Sequence, residues 1–148
     1  MVSHEYEYVE FDAAVAQDSL GFEEKWCLVK DCDGVEGLRN ERKALKEMVG
    51  HFFDFKLTGG AIKVEGRISA IALGEPLNSN TFVMHMMKAD PNMPGLYQVI
   101  NNEFLIQEVK GFEYLNLEQD LGVEGLRRSK SSYHPVSMVR KYTLEPAV

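Results

Sequence analysis

The sequence lacks the long hydrophobic segments of a membrane protein. None of the apolar runs in its 148 residues approaches the ~18–20 residues that a transmembrane helix requires, and no signal peptide opens the chain. We therefore expect a soluble, cytoplasmic protein.

Cysteine is almost as scarce. Cys27 and Cys32 lack the spacing of a zinc-ligand pair and have no partner cysteines elsewhere in the chain. Because the cytosol keeps thiols reduced, we expect both side chains to be reduced, structural thiols, and we expect no metal site.

Positive charge is also in deficit, since 16 Lys and Arg residues face 23 Asp and Glu residues and the net charge is −7. The whole excess lies in residues 1–54, which carry 13 acidic and 6 basic residues, whereas residues 55–111 and 112–148 each carry five of both kinds. Phosphate contacts need clustered Lys and Arg, so nonspecific nucleic-acid binding is disfavoured. One local basic cluster remains as an alternative, namely Arg127, Arg128, Lys130, Arg140 and Lys141.

What the chain does contain is typical of a folded domain. Hydrophobic residues make up 45% of it and charged residues 26%, which are close to globular averages. A chain of 148 residues is long enough to bury a core of its own. We predict a single domain that spans residues 1–148.

The first third of the chain predicts two short strands and a long helix. The segment SHEYEYVEFD, from Ser3, alternates like an edge strand, and KWCLVKD, from Lys25, is interpreted as another short strand. Between about Val35 and Phe55, apolar residues recur at spacings of three, four and seven, which predicts an amphipathic helix packed on a sheet. An exposed interaction helix is the alternative. The inward positions are Leu38, Leu45, Met48, Val49, Phe52 and Phe53.

The remaining chain alternates strands and helices. Thr58-Gly59-Gly60 ends the first helix, and Gly66 lies in the turn of a hairpin. The order of elements fits a mixed sheet covered by helices. The predicted elements are strands 61–65, 67–73 and 81–87, a helix from Pro94 to about Val109, strand 113–117 with Tyr114 buried, a helix that Asp120 caps and that stops before Pro135, and strand 136–144.

Two segments carry a resemblance to a known family. GEPLNSNTFVMHMMKADPNMPGLYQVINNEF at 74–104 and EQDLGVEGLRRSKSSYHP at 118–135 resemble, in this order, the C-terminal domain of phosphatidylglycerol lysyltransferase-like proteins. The best match covers residues 57–148, and residues 1–33 match poorly. The family belongs to the GNAT-like acyltransferases. The resemblance therefore implies an α/β (α+β) fold in which helices cover a mixed, mostly antiparallel sheet.

The resemblance also implies where the ligand binds. In a GNAT-like sheet the acyl group and its carrier lie where two neighbouring strands splay apart, here strands 81–87 and 113–117, so loops 88–95 and 118–122 would line the site. The catalytic candidates are Glu118, Asp120 and Tyr133. The substrate-binding candidates are Lys88, Asp90, Tyr97, Arg127, Lys130 and His134.

Ordinary structural roles remain open for several of these candidates. Lys88 and Asp90 also suit an ion pair within the loop. Asp120 also suits a helix cap, and His134 also suits an exposed position before a turn.

The donor that the resemblance favours is aminoacyl-tRNA. Acyl-CoA enzymes of this class usually bind the pyrophosphate with a glycine-rich loop at a helix start. The corresponding segment here, KADPNMPGLYQ, has one glycine and two prolines, and each proline removes a backbone donor. Acyl-CoA is therefore the weaker of the two donors.

Our leading hypothesis is a transferase that moves an acyl or aminoacyl group onto an amine of a lipid or peptide acceptor. The rival is a non-catalytic module of the same fold that binds a ligand or a partner. Uncharged Met87 and Leu117, where the family pattern often has charged residues, favour this rival. Family members commonly carry two such domains, and this chain has room for one. It would therefore be half of a two-domain transferase or would form a homodimer.

Overall fold

The computed structural model of the protein describes residues 5–146. The chain divides into two compact units, one that ends at Asn116 and one that begins at Leu117, and each is described by itself. The elements of the first unit are β1 Tyr6–Glu10, α1 Ala13–Lys30, α2 Glu36–Gly50, β2 Thr58–Val64, β3 Arg67–Pro76, β4 Thr81–Ala89, α3 Leu96–Glu108 and β5 Tyr114–Asn116. The second unit contains α4 Glu124–Ser131.

The first unit is a five-stranded sheet in the order β1-β2-β3-β4-β5. All neighbouring strands are antiparallel except β4 and β5, which are parallel. This confirms the predicted mixed, mostly antiparallel sheet. Helices α1 and α2 pack on the face that carries Ile71, Leu73 and Met86, and α3 packs on the face that carries Phe82.

Helix α1 replaces the short strand predicted for KWCLVKD, so that prediction was wrong. The helix begins at Asp12, whose carboxylate accepts a hydrogen bond from the Val15 amide at 2.7 Å. Its buried stripe has helical spacing but includes two polar residues, which concealed the period from sequence reasoning. Leu28 and Val29, which suggested a strand, are 85% and 57% exposed. The buried stripe consists of Val15, Ala16, Ser19, Phe22, Glu23, Trp26 and Cys27.

The two cysteines form a disulfide, so the prediction of reduced thiols was wrong. Asp31, just after α1, has a left-handed backbone with φ of 54°. This turns the chain back, and the Cys32 amide donates to the Cys27 carbonyl at 3.3 Å. The two Cα atoms therefore lie 4.9 Å apart, within the range that a disulfide spans.

The predicted amphipathic helix is confirmed as α2, although it ends at Gly50 and turns follow it. Leu45, Val49 and Phe52 are buried as expected, but Phe53 is 63% exposed because it lies beyond the helix. The sequence GVEGLR occurs twice, at 34–39 and 122–127. Each copy begins a helix, with Val35 as the N-cap of α2 and Val123 as the N-cap of α4.

The predicted hairpin is also confirmed, with longer strands. Glu65 and Gly66 form its turn with φ of 51° and 74°, as a two-residue turn with positive φ at both positions requires. Gly59 and Gly60 belong to β2 rather than to a helix break. Both positions are crowded, since a Cβ on Gly59 would lie 2.9 Å from the Cβ of Phe11, and one on Gly60 would lie 1.8 Å from the hydroxyl of Tyr8.

The end of the chain departs furthest from the prediction. Tyr114 is 43% exposed rather than buried, because β5 has only three residues. Helix α4 has Val123 as its N-cap with no side-chain cap, so the predicted cap by Asp120 was wrong. The predicted strand 136–144 was wrong as well, since that segment has no regular structure and pairs with no strand among the described residues. An isolated segment is not stable as a strand without a partner.

Helix α3 starts two residues later than predicted. Gly95, with φ of 87°, is its N-cap, and Pro94 lies outside the helix. Leu96, Ile100 and Phe104 are buried as predicted. Within residues 5–146, no helix combines the length and apolar character that crossing a bilayer requires.

We expect Tyr8→Phe to destabilise the protein by about 1 kcal/mol, because the Tyr8 hydroxyl donates to Glu108 on α3 at 3.0 Å. Burial raises the pKa of Glu108, whereas the hydrogen bond from Tyr8 lowers it. Because Tyr8→Phe removes this hydrogen bond, the pKa of Glu108 should be higher in the variant than in the wild type. When the pKa of a carboxyl is higher in the folded protein than in the unfolded chain, the folded protein binds the proton more tightly. The stability that this provides is fully present below the unfolded-state pKa of 4.5 and is lost as pH rises through the folded-state pKa. The defect should therefore grow from acidic to neutral pH in urea denaturation.

The matched control is Tyr6→Phe, since Tyr6 makes a similar 2.9 Å bond to Glu103 but is 46% exposed. Its effect should stay within about 0.5 kcal/mol. Equal losses in both variants, or a loss in Tyr8→Phe that does not depend on pH, would contradict this assignment.

Candidate active site

Strands β4 and β5 pair over three residues only, from Thr81 with Tyr114 to Val83 with Asn116. Strand β5 ends there, whereas β4 continues to Ala89. Among the described residues of the first unit, no strand pairs with β4 on this side beyond Val83. The N–H and C=O groups that alternate along such an edge can bind an extended ligand by strand addition or stabilise an oxyanion.

An irregularity in β4 lies where β5 leaves it. The register with β3 shifts between Leu73 and Gly74, whose partners on β4 are two residues apart, so His85 is the extra residue of a β-bulge. The His85 Nε2 atom lies 2.9 Å from Glu75 Oε1, and the two side chains are 26% and 42% exposed. An imidazole oriented by a carboxylate is suited to accept a proton.

The segment between β4 and α3 has few backbone N–H groups to offer a phosphate. Its two prolines have none. The amides of Asn92 and Met93 donate to the carboxylate and carbonyl of Asp90 at 2.9 and 3.1 Å. The Leu96 amide donates to the Met93 carbonyl at 3.2 Å. A pyrophosphate cradle at a helix start needs several outward N–H groups, and the loop before α3 supplies few of them.

Lys88, a predicted substrate-binding residue, lies in the core of the first unit with 1% of its side chain exposed. Its ammonium group lies 2.9 Å from carboxylate oxygens of Glu23 and Glu41, and 3.9 Å from the centre of the Trp26 ring. These partners replace the loop ion pair with Asp90 that the sequence left open. Substrate contact by Lys88 would require this cluster to open.

The other two candidates of the first unit lie beyond the end of β4. The Asp90 carboxylate accepts from the backbone and side-chain nitrogens of Asn92 at 2.9 and 3.0 Å, which stabilises the loop. Tyr97 is half-buried in the first turn of α3. A binding role for either residue remains a prediction.

In the second unit, the structure brings Asp120 and Arg127 together. Arg127 Nε donates to Asp120 Oδ2 at 2.7 Å, and the Gly122 amide donates to Oδ1 at 2.9 Å. The hydrogen bond from Arg127 lowers the pKa of Asp120, and the same contact raises the pKa of Arg127. Asp120 is therefore a weakly basic carboxylate, better suited to bind a cation than to remove a proton.

Lys130 stabilises the turn that precedes α4. Its ammonium group donates to the carbonyl oxygens of Leu117 and Gln119, and burial lowers its pKa. Glu118 and Leu121, in the same turn, have left-handed backbones with φ of 58° and 53°. Each such residue stores about 1–3 kcal/mol of strain, and strain of this kind is typical of functional loops.

Tyr133 and His134 follow the end of α4. The Tyr133 amide donates to the Lys130 carbonyl at 3.2 Å, and His134 has a left-handed backbone with φ of 52°. Both side chains are exposed and make no hydrogen bond within residues 5–146. Their predicted roles, like those of Glu118 and Asp120, remain predictions.

Sequence reasoning missed Glu23, Glu41 and His85. Glu23 lies on the apolar stripe of α1, where a charged residue indicates a buried partner, but the strand interpretation hid that stripe. His85 interrupts the apolar run of β4, which was the available signal for a special position. The pairing of each residue with its partner depends on the tertiary fold.

The family described as "Phosphatidylglycerol lysyltransferase, C-terminal" matches residues 2–145 of the chain. A conserved protein of unknown function from Bacteroides thetaiotaomicron has a solved structure that is 42% identical to the chain, with a TM-score of 0.86. The match covers 90% of this chain and 45% of that one, so this chain spans about half the length of its relative. Among curated proteins, none is significantly similar to the chain.

More distant solved structures share the fold. A ribosomal-protein-alanine N-acetyltransferase from Brucella melitensis is 9% identical, with a TM-score of 0.64 over 95% of this chain and 99% of that one. An aminoglycoside N-acetyltransferase in complex with CoA is 6% identical, with a TM-score of 0.61 over 98% and 96%. At these identities the likeness concerns the fold alone, and it confirms the predicted GNAT-like architecture.

We expect Lys88→Met to destabilise the protein by about 3–5 kcal/mol, because it leaves the Glu23 carboxylate, which is fully buried, without its ammonium partner. The double variant Lys88→Met/Glu23→Gln should regain part of this loss. The control is Lys63→Met, at a half-buried position on β2, which should change stability by less than about 0.5 kcal/mol. Similar urea midpoints for the two single variants would contradict a structural role for Lys88.

Proposed function

The chain belongs to the phosphatidylglycerol lysyltransferase C-terminal family, and we propose that it is a transferase domain that moves an acyl or aminoacyl group onto an amine. Family membership and the GNAT-like fold support the general class of reaction. The observation that carries the proposal is the edge of β4 that β5 leaves unpaired, beside the bulge at His85.

The donor would lie along the β4 edge, where β5 no longer pairs. Amide groups of an extended carrier can hydrogen-bond to the alternating backbone groups of Met84–Ala89. An outward N–H of the same segment can donate to the donor's carbonyl oxygen as negative charge develops on it. Both contacts need the edge that β5 leaves unpaired.

In the proposed reaction, the acceptor amine attacks the carbonyl carbon and forms a C–N bond. The His85 imidazole, oriented by Glu75, takes the proton that the amine loses. The bond from the carbonyl carbon to the carrier then breaks. The carrier leaves with a proton, as a hydroxyl from an aminoacyl ester or as a thiol from an acyl thioester.

The two possible donors are aminoacyl-tRNA and acyl-CoA. The segment between β4 and α3 favours a donor that needs no pyrophosphate site at the start of α3. Asp90 accepts the amides that such a group would need, and it adds a negative charge beside the same position. Aminoacyl-tRNA meets this condition at its 3′ ester. Acyl-CoA remains the alternative because a structural neighbour was solved with CoA.

The second unit enters the proposal through its resemblance to the family. Glu118, Asp120 and Tyr133 are proposed as catalytic groups, with the paired Asp120 suited to bind a substrate ammonium group. Arg127, Lys130 and His134 are proposed to bind substrate. Arg127→Ala provides the test, since unchanged ligand affinity would remove Arg127 and its partner from the site.

We also propose that this domain acts beside a second one. The 42%-identical relative is about twice as long as the part that this chain covers. The second domain would be another copy of this chain, or a further segment of a longer protein. Light scattering at high concentration distinguishes a dimer from a monomer.

We expect tRNA, titrated at low salt, to stabilise the protein, and acetyl-CoA to have no effect. A ligand at 100 times its dissociation constant adds about 2.7 kcal/mol, which raises Tm by roughly 5–10 °C for a chain of this size. Hydrogen exchange should also slow at Met84–Ala89 and stay unchanged at Thr81–Val83, which already pairs with β5. A response to acetyl-CoA alone would contradict the choice of donor. If neither tRNA nor acetyl-CoA changes Tm, the result would favour the non-catalytic module.

We expect His85→Gln to slow transfer about 10²–10⁴-fold with the donor that the titration identifies, because it removes the proton acceptor. The thermal shift by that donor should not change. His51→Gln is the control, since His51 also lies near a carboxylate, 3.2 Å from Asp54, but is 52% exposed on the surface. Equal transfer rates in the two variants would exclude His85 as the base and leave the donor assignment intact.

A further inference from the structure

We propose that reduction of the Cys27–Cys32 disulfide converts one corner of the core into a zinc site formed by Glu23, Cys27 and Cys32. The ligand atoms of these three residues lie within 4.8 Å of one another, and all three residues are buried. Glu23 and Cys27 are one turn apart on α1, and Cys32 follows the left-handed residue that ends this helix. The site uses no backbone group of the β4 edge, although Glu23 also contacts Lys88 of β4, and it does not depend on the proposed transfer.

A second observation points to a ligand at this position. Glu23 is fully buried, and its Oε1 atom accepts from Lys88 at 2.9 Å and lies 3.3 Å from the sulfur of Cys27. Its Oε2 atom is buried with no hydrogen-bond partner. An unsatisfied buried carboxylate oxygen is destabilising, and a cation bound at this oxygen would remove the destabilisation.

The ligand set suits zinc. Zinc binds thiolates and carboxylates, usually with four ligands in a tetrahedron, and two to four residues commonly separate paired cysteine ligands. Four residues separate Cys27 from Cys32, which is at the upper end of that range and corrects our interpretation of this spacing from the sequence. Glu23 supplies the third ligand that the sequence alone did not reveal. Two sulfurs on one zinc lie about 3.8 Å apart, so opening the disulfide requires only a small separation of the sulfur atoms.

The oxidised protein cannot form this site, because its sulfurs are bonded to each other. A dithiol reductant would break the S–S bond, supply two electrons and two protons, and become a disulfide itself. Zinc then displaces the two thiol protons, so its two positive charges are balanced by two thiolates. Lys88 does not exclude the cation, because its own charge is balanced by Glu23 and Glu41, each 2.9 Å away.

The test compares oxidised protein with protein reduced by a phosphine, using Zn²⁺ in competition with a chromophoric chelator and Co²⁺ as a spectroscopic probe. Reduced protein should bind one equivalent and show thiolate-to-cobalt absorption, and oxidised protein should bind none. Glu23→Gln should weaken zinc binding at least 10-fold. Glu24→Gln, at the exposed neighbouring position, should not change it.

Two results with the wild-type protein and the Glu23 variant would overturn the proposal, and a third, with the cysteine variant, would also do so. One is reduced wild-type protein with no stoichiometric zinc and no thiolate-to-cobalt absorption, which decides the matter even where Glu23→Gln fails to fold. The other is a folded Glu23→Gln variant that binds zinc as tightly as Glu24→Gln does. Binding that survives Cys27→Ser/Cys32→Ser would likewise place the metal elsewhere.

Discussion

The first unit depends on balancing the buried positive charge of the Lys88 ammonium group. A charge buried at 1% exposure must be balanced, so α1 has to bring Glu23 to it and α2 has to bring Glu41. Trp26 of α1 covers the same ammonium group and donates from its indole N–H to the Ala89 carbonyl at 3.0 Å. Such a cluster adds less net stability than an apolar core would. It specifies instead where two helices lie over the end of one strand.

Because β4 is fixed by these helices and by β3, its second half does not need β5 to remain a strand. The edge is therefore formed before any ligand arrives, and preorganised backbone dipoles are what stabilisation of an oxyanion requires. The bulge depends on close packing of the backbone. A Cβ on Gly74 would lie 2.3 Å from the Val83 carbonyl oxygen, so a glycine is needed beside the point where β4 and β5 part.

Short-range sequence patterns were sufficient to predict the features that depend only on residues close together in the chain. The hairpin turn at Gly66, the apolar face of α2 and the buried face of α3 each follow from short-range patterns, and the structure confirms them. Helix α1 was missed because Glu23 occupies a core position, and only a lysine 65 residues later explains that position. The disulfide depended on the backbone turn at Asp31. The strand predicted for residues 136–144 has no partner among the described residues. What could not be predicted was in each case a long-range pairing or a backbone conformation.

The fold and the choice of ligand depend on different parts of the sequence. Structural neighbours at 6–9% identity share the sheet and the helices, but phosphate binding by a helix start depends on the N–H groups of a few loop residues. In this chain, Asp90 accepts two of those N–H groups and two prolines lack them. A carboxylate at that position also repels a phosphate. The small number of N–H donors in the loop and the negative charge of Asp90 are independent effects that act in the same direction. In the proposed reaction they favour the β4 edge over the start of α3 as the place where the donor binds.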